Sequence, residues 1–202
     1  MSDSPSPPEF LSPGAARPRI AYRRIRGKSP GIVFCTGFMS DMAGSKAVAI
    51  EEFARQRGQA CLRFDYSGHG ESEGRFEDGT IGSWFADALA AFDALTEGAQ
   101  IVVGSSMGGW IALLLARARP ARVAGLVGIA PAPDFTEDLI WAKMPPEKRA
   151  ELMTKGVVHE PSDYGEKPYP ITRALIEDGR RHLLLPAPLA YDGKVRLLHG
   201  MQ

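Results

Sequence analysis

The stretch QIVVGSSMGGWIALLL at residues 100–115 joins two hydrophobic patterns through one short turn. Its first four residues are typical of a buried strand, and the Ala- and Leu-rich run after Gly109 is typical of a helix. Between them lies Gly104-Ser105-Ser106-Met107-Gly108, a G-x-S-x-G pattern. In this context the pattern predicts a sharp strand-to-helix turn with Ser106 at its apex.

Such a turn gives Ser106 the features of a nucleophile. The turn holds the residue in a strained conformation, with its hydroxyl above the sheet and close to the N–H groups that begin the helix. Gly104 and Gly108 are expected where the backbones of strand and helix approach closely. We interpret Ser106 as a nucleophile, and the alternative interpretation is an ordinary Gly/Ser turn between a strand and a helix.

Strand and helix patterns alternate along the chain. The patterns are strand-like at residues 31–36, 59–64, 100–104, 123–130 and 194–199, and helical at residues 45–57, 81–95 and 110–119. This order predicts an α/β fold with a mostly parallel sheet and helices on both faces. Because ligands bind at the carboxyl ends of such strands, the loops that carry Phe38 and Ser106 are expected to share one mouth.

Two segments are expected to depart from this alternation. Residues 1–18 are rich in Ser and Pro and predict a flexible N-terminal segment. Residues 19–202 form the main domain, in which a small cap insertion is predicted at about residues 133–185. Phe135, Trp141 and Met144 of this cap are candidates for a substrate pocket, although packing of the cap onto the domain explains them equally well.

Composition restricts the function classes. The 202 residues contain 24 Lys and Arg against 24 Asp and Glu, so charge gives no case for a nucleic-acid partner. The two cysteines imply no disulfide framework, and no metal-ligand spacing or cofactor motif is present. Neither a signal peptide nor a run long enough to cross a membrane is visible, which predicts a cytoplasmic protein. The sequence does not indicate an oligomeric state.

A second motif identifies a family. The loop Asp65-Tyr-Ser-Gly-His-Gly-Glu-Ser72 is similar to the D-x-x-G-x-G-x-S element of α/β-hydrolases, a resemblance that spans about residues 20–202. With residues 37–42 (GFMSDM), it resembles the branch that contains mitochondrial palmitoyl-protein thioesterase, also known as an acyl-glucuronide esterase, and its bacterial relatives. The resemblance implies a serine hydrolase that cleaves esters or thioesters of a small-molecule or acylated substrate through an acyl-enzyme on Ser106. It also implies an oxyanion hole formed by the backbone N–H groups of Phe38 and Met107.

The resemblance further implies an acid and a histidine after the nucleophile, in that order. The acid would follow the strand at residues 194–199 and the histidine would come later, so we expect a C-terminally truncated chain that lacks the final strand and helix. Without the acid and the base, we expect such a fragment by itself to have little or no hydrolase activity. His69 is a weaker alternative for the base, and Asp134 is either an alternative acid or a turn or helix-cap residue. Two alternative functions are a non-catalytic binding module of the same fold and a hydrolase of peptides or lactones.

Overall fold

A computed structural model describes residues 7–161 and 168–200. Its strands are β1 (Glu9–Leu11), β2 (Ile20–Ile25), β3 (Lys28–Cys35), β4 (Gln59–Phe64), β5 (Gln100–Ser105), β6 (Val123–Ile129), β7 (Val157–Glu160), β8 (Tyr169–Thr172) and β9 (Lys194–Leu198). Its α-helices are α1 (Ser45–Gln56), α2 (Ile81–Leu95), α3 (Met107–Ala118), α4 (Pro146–Lys155) and α5 (Arg173–Gly179). Short 3₁₀ helices lie at Phe76–Asp78 and Arg180–His182, and a π-helix lies at Thr136–Trp141.

The main sheet has seven strands in the order β1-β2-β4-β3-β5-β6-β9. The five strands from β4 to β9 in this order are parallel, while β1 and β2 add antiparallel strands at one side. Parallel neighbours require crossover connections, which α1, α2 and α3 supply. The predicted mostly parallel sheet is therefore confirmed.

The central strand β3 shows how the sheet is covered. Val33 and Cys35 belong to the larger core, in which α2 and α3 pack on one face of the sheet. Ile32 and Phe34 belong to a smaller core on the opposite face, against α1. Because successive side chains of a strand point to opposite faces, this alternation confirms that helices lie on both sides.

The N-terminal segment differs from the prediction. We expected residues 1–18 to be flexible, but Glu9–Leu11 form β1 and pair with β2. The Tyr22 hydroxyl donates to Glu9 at 2.9 Å, and Arg17 forms an ion pair of 2.5 Å with Asp87 of α2. The flexible description is therefore wrong for the part of this segment that joins the sheet, and residues 1–6 lie outside the described residues.

The segment between β6 and β9 forms a small layer of its own. The sequence pattern also predicts a short helix over Pro146–Lys155, and α4 has these bounds, with Pro146 in its first turn and Gly156 at its end in the left-handed conformation, φ 82°. The antiparallel hairpin of β7 and β8, which the sequence analysis did not predict, follows this helix. Residues 162–167 lie outside the described residues.

Strand β9 lies beside β6 at the end of the described sheet. Three of its five side chains are large and apolar, and Val195, Leu197 and Leu198 are 41%, 69% and 56% exposed. Apolar residues on both faces are typical of an internal strand, so this edge carries more exposed apolar surface than an ordinary edge strand. None of the helices in the described ranges has the length and apolar character needed to cross a membrane.

Candidate active site

Ser106 is the single residue between strand β5 and helix α3. Its backbone has φ 53° and ψ −121°, a left-handed conformation that glycine adopts most easily. Its side chain is exposed, whereas the next residue, Met107, is fully buried. The turn therefore places the Ser106 hydroxyl above the sheet, as the G-x-S-x-G pattern predicts.

Close backbone contacts explain the two glycines of the motif. A Cβ atom on Gly104 would lie 2.5 Å from the carbonyl carbon of Gly108. A Cβ atom on Gly108 would lie 2.5 Å from the carbonyl oxygen of Thr36, at the end of β3. Side chains at either position would push the helix away from the sheet, so the turn requires glycine at both.

The loop after β3 lies against this turn. A Cβ atom on Gly37 would be 3.5 Å from the Ser106 Cβ, so the two backbones are in near contact. Phe38 follows, in a turn closed by a 3.1 Å hydrogen bond from the Ser40 N–H to the Gly37 carbonyl. Met107 is the first residue of α3, and the N–H of a first helical residue has no partner within its helix. Of the predicted oxyanion-hole residues, Met107 is thus the next residue after Ser106, and Phe38 follows Gly37, which lies against Ser106.

An aromatic cluster surrounds Phe38. Its ring makes edge-to-face contacts with four others, at centroid distances of 4.9 to 5.8 Å: Phe76, Trp84, Phe135 and Tyr169. Phe135 belongs to the loop after β6, and Tyr169 belongs to β8 of the cap. The cap and the loop between β3 and α1, which carries the predicted oxyanion-hole residue Phe38 and is called the oxyanion loop below, therefore meet at an apolar surface. Tyr169 is a wall residue that sequence analysis missed, because its place depends on the unpredicted hairpin.

The three predicted pocket residues separate into two groups. Phe135 is buried and contacts both Phe38 and Trp110. The ring of Trp141 lies between the guanidinium groups of Arg149 and Arg180, at 5.1 and 4.7 Å from its centroid. Met144 is buried in the main core. Packing within the cap explains Trp141 and Met144, and only Phe135 contacts the oxyanion loop through its ring.

His69 lies beneath this aromatic cluster. Its Nδ1 is 3.3 Å from the Ser67 carbonyl, and its ring packs edge-on against Tyr66, Phe76 and Trp84. Burial lowers the pKa of His69 to about 4, so the imidazole is neutral at pH 7. Its Nε2 is buried without a hydrogen-bond partner in the described structure. These contacts hold the 65–74 loop, and they do not place His69 on Ser106.

Asp134 has a structural position. It is fully buried with φ 57°, and its carboxylate accepts hydrogen bonds from the N–H groups of Leu184 and Leu185 at 2.8 to 3.0 Å. Its carbonyl accepts from the N–H groups of Glu137 and Asp138, which begin the π-helix. Asp134 therefore ties the start of the cap to its end, closer to the turn role than to the alternative role of acid.

The other histidines lie apart from the nucleophile. His182 is 3.6 Å from Asp178, and His159 and His199 are exposed. Within residues 7–161 and 168–200, the Ser106 hydroxyl has no hydrogen-bond partner, so these residues do not form a complete catalytic relay. The same ranges contain no cluster of three side chains suited to a metal ion.

Two charged residues that sequence analysis did not select lie behind the oxyanion loop. The carboxylate of Asp65 accepts a 2.6 Å hydrogen bond from the Met42 N–H, and Arg63 donates a 2.5 Å hydrogen bond to the Met42 carbonyl. Burial raises the pKa of Asp65 to about 6. Asp65 is visible in the sequence as the first residue of its motif, but its contact with Met42 depends on tertiary structure.

A cavity of about 460 Å³ lies at the other end of the sheet. Its lining includes Gly31, Ala60 and Gln100, which stand at or near the amino ends of β3, β4 and β5. Ser106 stands at the carboxyl end of β5, so this cavity is not part of the candidate site.

Comparison with known proteins agrees with this geometry. Residues 29–174 match the model of the Hydrolase_4 family, described as serine aminopeptidase, S33. The chain is 46% identical over 186 residues to the human mitochondrial palmitoyl-protein thioesterase ABHD10, with 92% of this chain and 60% of that protein covered. The structure of mouse α/β hydrolase domain-containing protein 10 is similar, with a TM-score of 0.86, 43% identity, and coverage of 96% of this chain and 77% of that one.

A bacterial structure is equally similar. A putative hydrolase from Agrobacterium vitis S4 gives a TM-score of 0.88 at 40% identity, covering 94% of this chain and 76% of that one. The chain spans about 60% of the length of the curated relatives in this comparison. Those relatives are named as mitochondrial, so the prediction of a cytoplasmic protein is wrong. Absence of a visible leader was a weak basis for that prediction.

Proposed function

We propose that this chain, which belongs to the serine aminopeptidase S33 family of α/β-hydrolases, cleaves acyl esters or thioesters through an acyl-enzyme on Ser106. The observation that carries the proposal is the exposed Ser106 hydroxyl on a strained turn at the start of α3. Strain of this kind persists only where surrounding structure enforces it, and it clusters at functional sites. An ordinary turn between β5 and α3 has no need of it.

The proposed chemistry places the carbonyl carbon of the substrate over Ser106. Attack by the hydroxyl oxygen forms a bond to that carbon and moves negative charge onto the carbonyl oxygen. The N–H groups of Phe38 and Met107 would donate to this oxygen, and the N-terminal end of α3 favours the charge. Removing one such donor costs roughly 3 to 4 kcal/mol of transition-state stabilisation. A base must also take the hydroxyl proton, because serine is a poor nucleophile at neutral pH.

The surface beside the nucleophile supports an acyl substrate. Phe38, Phe135 and Tyr169 present an apolar wall where the acyl part of an ester or thioester would lie. The relatives named palmitoyl-protein thioesterase support the same class of substrate. We therefore infer a small-molecule or acylated substrate whose acyl group is apolar.

A fluorophosphonate probe tests the nucleophile directly. Because the described residues contain no complete relay, the test uses a form of the protein that also carries the acid and the histidine that the family resemblance implies. In that form we expect wild type and Ser105→Ala to be labelled, and Ser106→Ala to remain unlabelled. Ser105 is a suitable control because it is the last residue of β5, half-buried and one position from the apex. Labelling of Ser106→Ala would contradict the assignment, and a wild-type protein of the form with acid and histidine that is never labelled would favour a non-catalytic binding module.

A substrate panel tests the class of bond. The family description includes aminopeptidases, whereas the curated relatives are named thioesterases, so the panel should hold p-nitrophenyl esters, acyl thioesters and aminoacyl anilides. With the same form of the protein, which carries the acid and the histidine, we expect turnover of esters and thioesters with little turnover of anilides. Preferential cleavage of anilides would favour the peptide-hydrolase alternative.

A further inference from the structure

We propose that Arg63 and Asp65 are positioning residues that fix the Phe38 N–H in the oxyanion hole by holding the backbone N–H and the backbone carbonyl of Met42. This inference rests on the proposed function, because the position of that N–H matters only if it receives a developing negative charge. Neither residue contacts the place where a substrate would react. Their effect passes through the backbone of the loop that joins β3 to α1.

The contacts on Met42 involve both of its backbone polar groups. Its N–H donates to Asp65 Oδ1 at 2.6 Å, and its carbonyl accepts from Arg63 Nη1 at 2.5 Å. The Met42 side chain is fully buried. Hydrogen bonds to charged groups are shorter and stronger than those between neutral groups, so the backbone of Met42 is held more firmly than that of an ordinary loop residue.

The two charged side chains are themselves fixed. Arg63 is 6% exposed, and its Nε donates to Glu51 of α1 at 2.5 Å. The second oxygen of Asp65 accepts from the Glu71 N–H at 2.9 Å. Gly70 packs so closely that a Cβ atom there would lie 2.5 Å from the Asp65 carboxyl carbon. Helix α1, strand β4 and the 65–74 loop thus converge on the backbone of one residue, Met42.

The loop between the two anchors is short. Gly37 lies against the nucleophile turn at one end, and Met42 is only five residues further along the chain. A hydrogen bond from Ser40 to Gly37 and one from the Ala43 N–H to the Asp41 carboxylate fill this interval. Phe38 lies inside it, so movement of the Met42 peptide would be passed to the Phe38 N–H with little slack.

The distribution of charge fits a positioning role. Burying charged groups is costly, and an apolar contact would join the loop to the sheet at lower cost. Charged partners instead specify direction, because the carboxylate accepts only from the N–H of Met42 and the guanidinium donates only to its carbonyl, which belong to two successive peptide groups. The pair therefore determines the orientation of the peptide in addition to its location.

The experiment compares Asp65→Asn with Asp87→Asn. The asparagine at position 65 keeps the size of the side chain but replaces one acceptor oxygen with a donor, so it cannot accept from both Met42 and Glu71. Asp87 is the matched control, because it is also a buried carboxylate that accepts from a loop, through the Ser67 N–H and hydroxyl, yet does not touch Met42. The readouts are the rate of reaction with a fluorophosphonate, kcat and KM for p-nitrophenyl butyrate, and urea denaturation.

We expect Asp65→Asn to react with the fluorophosphonate 10- to 100-fold more slowly than wild type. Its kcat should fall by the same factor, while its KM stays within about twofold of the wild-type value. The reason is that misplacement of a catalytic group by about 1 Å lowers the rate by up to 10²-fold. Asp87→Asn should lose stability without this loss of rate. Equal rates for Asp65→Asn and wild type would overturn the inference and leave the proposed function standing. All variants are compared in the form of the protein that carries the acid and the histidine, and a wild-type protein of that form that reacts with neither probe nor ester would overturn both.

A second variant decides the matter if Asp65→Asn does not fold. Arg63→Lys keeps the charge but has one donor nitrogen, so it cannot bridge Glu51 and Met42 with the geometry of the guanidinium. We expect about a 10-fold lower rate with the fluorophosphonate and an unchanged KM. A folded Arg63→Lys protein with the wild-type rate would overturn the inference.

Discussion

Replacing Ser106 with glycine should make the protein more stable while removing its nucleophile. The φ and ψ of Ser106 mirror the first central residue of a type II turn, a conformation that glycine adopts without strain. Any residue with a Cβ has a cost there of about 1 to 3 kcal/mol. Glycine loses about 0.4 to 1 kcal/mol more than other residues when the flexible unfolded chain folds. The difference is a net stabilisation of about 1 kcal/mol.

Ser106→Ala separates the strain from the hydroxyl. It keeps the Cβ and its strain, and because Ser106 is exposed, loss of the hydroxyl should change the free energy of unfolding by less than about 0.5 kcal/mol. Ser106→Gly should therefore unfold at a higher urea concentration than both Ser106→Ala and wild type. In a thermal scan the shift should be roughly 2 to 4 °C for a domain of this size.

The neighbouring serine supplies a control of opposite sign. Ser105 belongs to β5 and its φ is not positive, so Ser105→Gly should lower stability by about 0.5 to 1 kcal/mol. If Ser106→Gly is no more stable than Ser106→Ala, the turn is not strained and the reasoning from backbone conformation fails.

Three further changes test other parts of the molecule. Gly108→Ala should lower the free energy of unfolding by about 3 kcal/mol in urea denaturation, because its Cβ would overlap backbone atoms, whereas Gly125→Ala, with 3.5 Å of space, should be close to neutral. Burial raises the pKa of Asp65 to about 6, so the contribution of this residue to stability falls as pH rises from about 4 to 6. Burial lowers the pKa of His69 to about 4, so the contribution of the histidine to stability falls as pH drops from about 6.5 to 4. Each of these changes amounts to roughly 3 kcal/mol in the free energy of unfolding. Between pH 4 and 6, the free energy of unfolding should therefore rise more steeply with pH in Asp65→Asn than in wild type, and it should fall with pH in His69→Gln relative to wild type. Matching pH profiles for all three proteins would contradict these two pKa shifts. Asp134→Ala should make the cap more sensitive to limited proteolysis than Asp134→Asn, because asparagine tolerates the positive φ at this position better than alanine does. Equal cleavage of the two variants would exclude backbone strain as a cause of the difference from wild type.

Local patterns explain what the sequence predicted well. The bounds of α2 and α4 follow from apolar spacing and from end signals such as the Thr80 capping box and Gly156. The nucleophile turn could be predicted because one five-residue motif contains all of its steric requirements. Each of these features depends on residues that are close together in the chain.

Features that depend on distant residues were missed. Strand β1 is only three residues long and exists because it pairs with β2, so its own sequence carries almost no strand signal. The β7–β8 hairpin is equally short and contains Pro170, which weakens a strand prediction. The contact of Asp65 with Met42 joins residues 23 positions apart, and no periodicity reveals such a pair.

The arginines on either side of Trp141 give the cap an optical label of its own. The chain has three tryptophans, and Trp84 and Trp110 are fully buried in the main core. Trp141 is only half-buried and lies between two cationic groups. Its emission should lie to the red of the other two, and the positive charge around it should attract iodide as a quencher and repel caesium. Fluorescence quenched by iodide would then report movement of the cap alone, while the remaining emission would report the core.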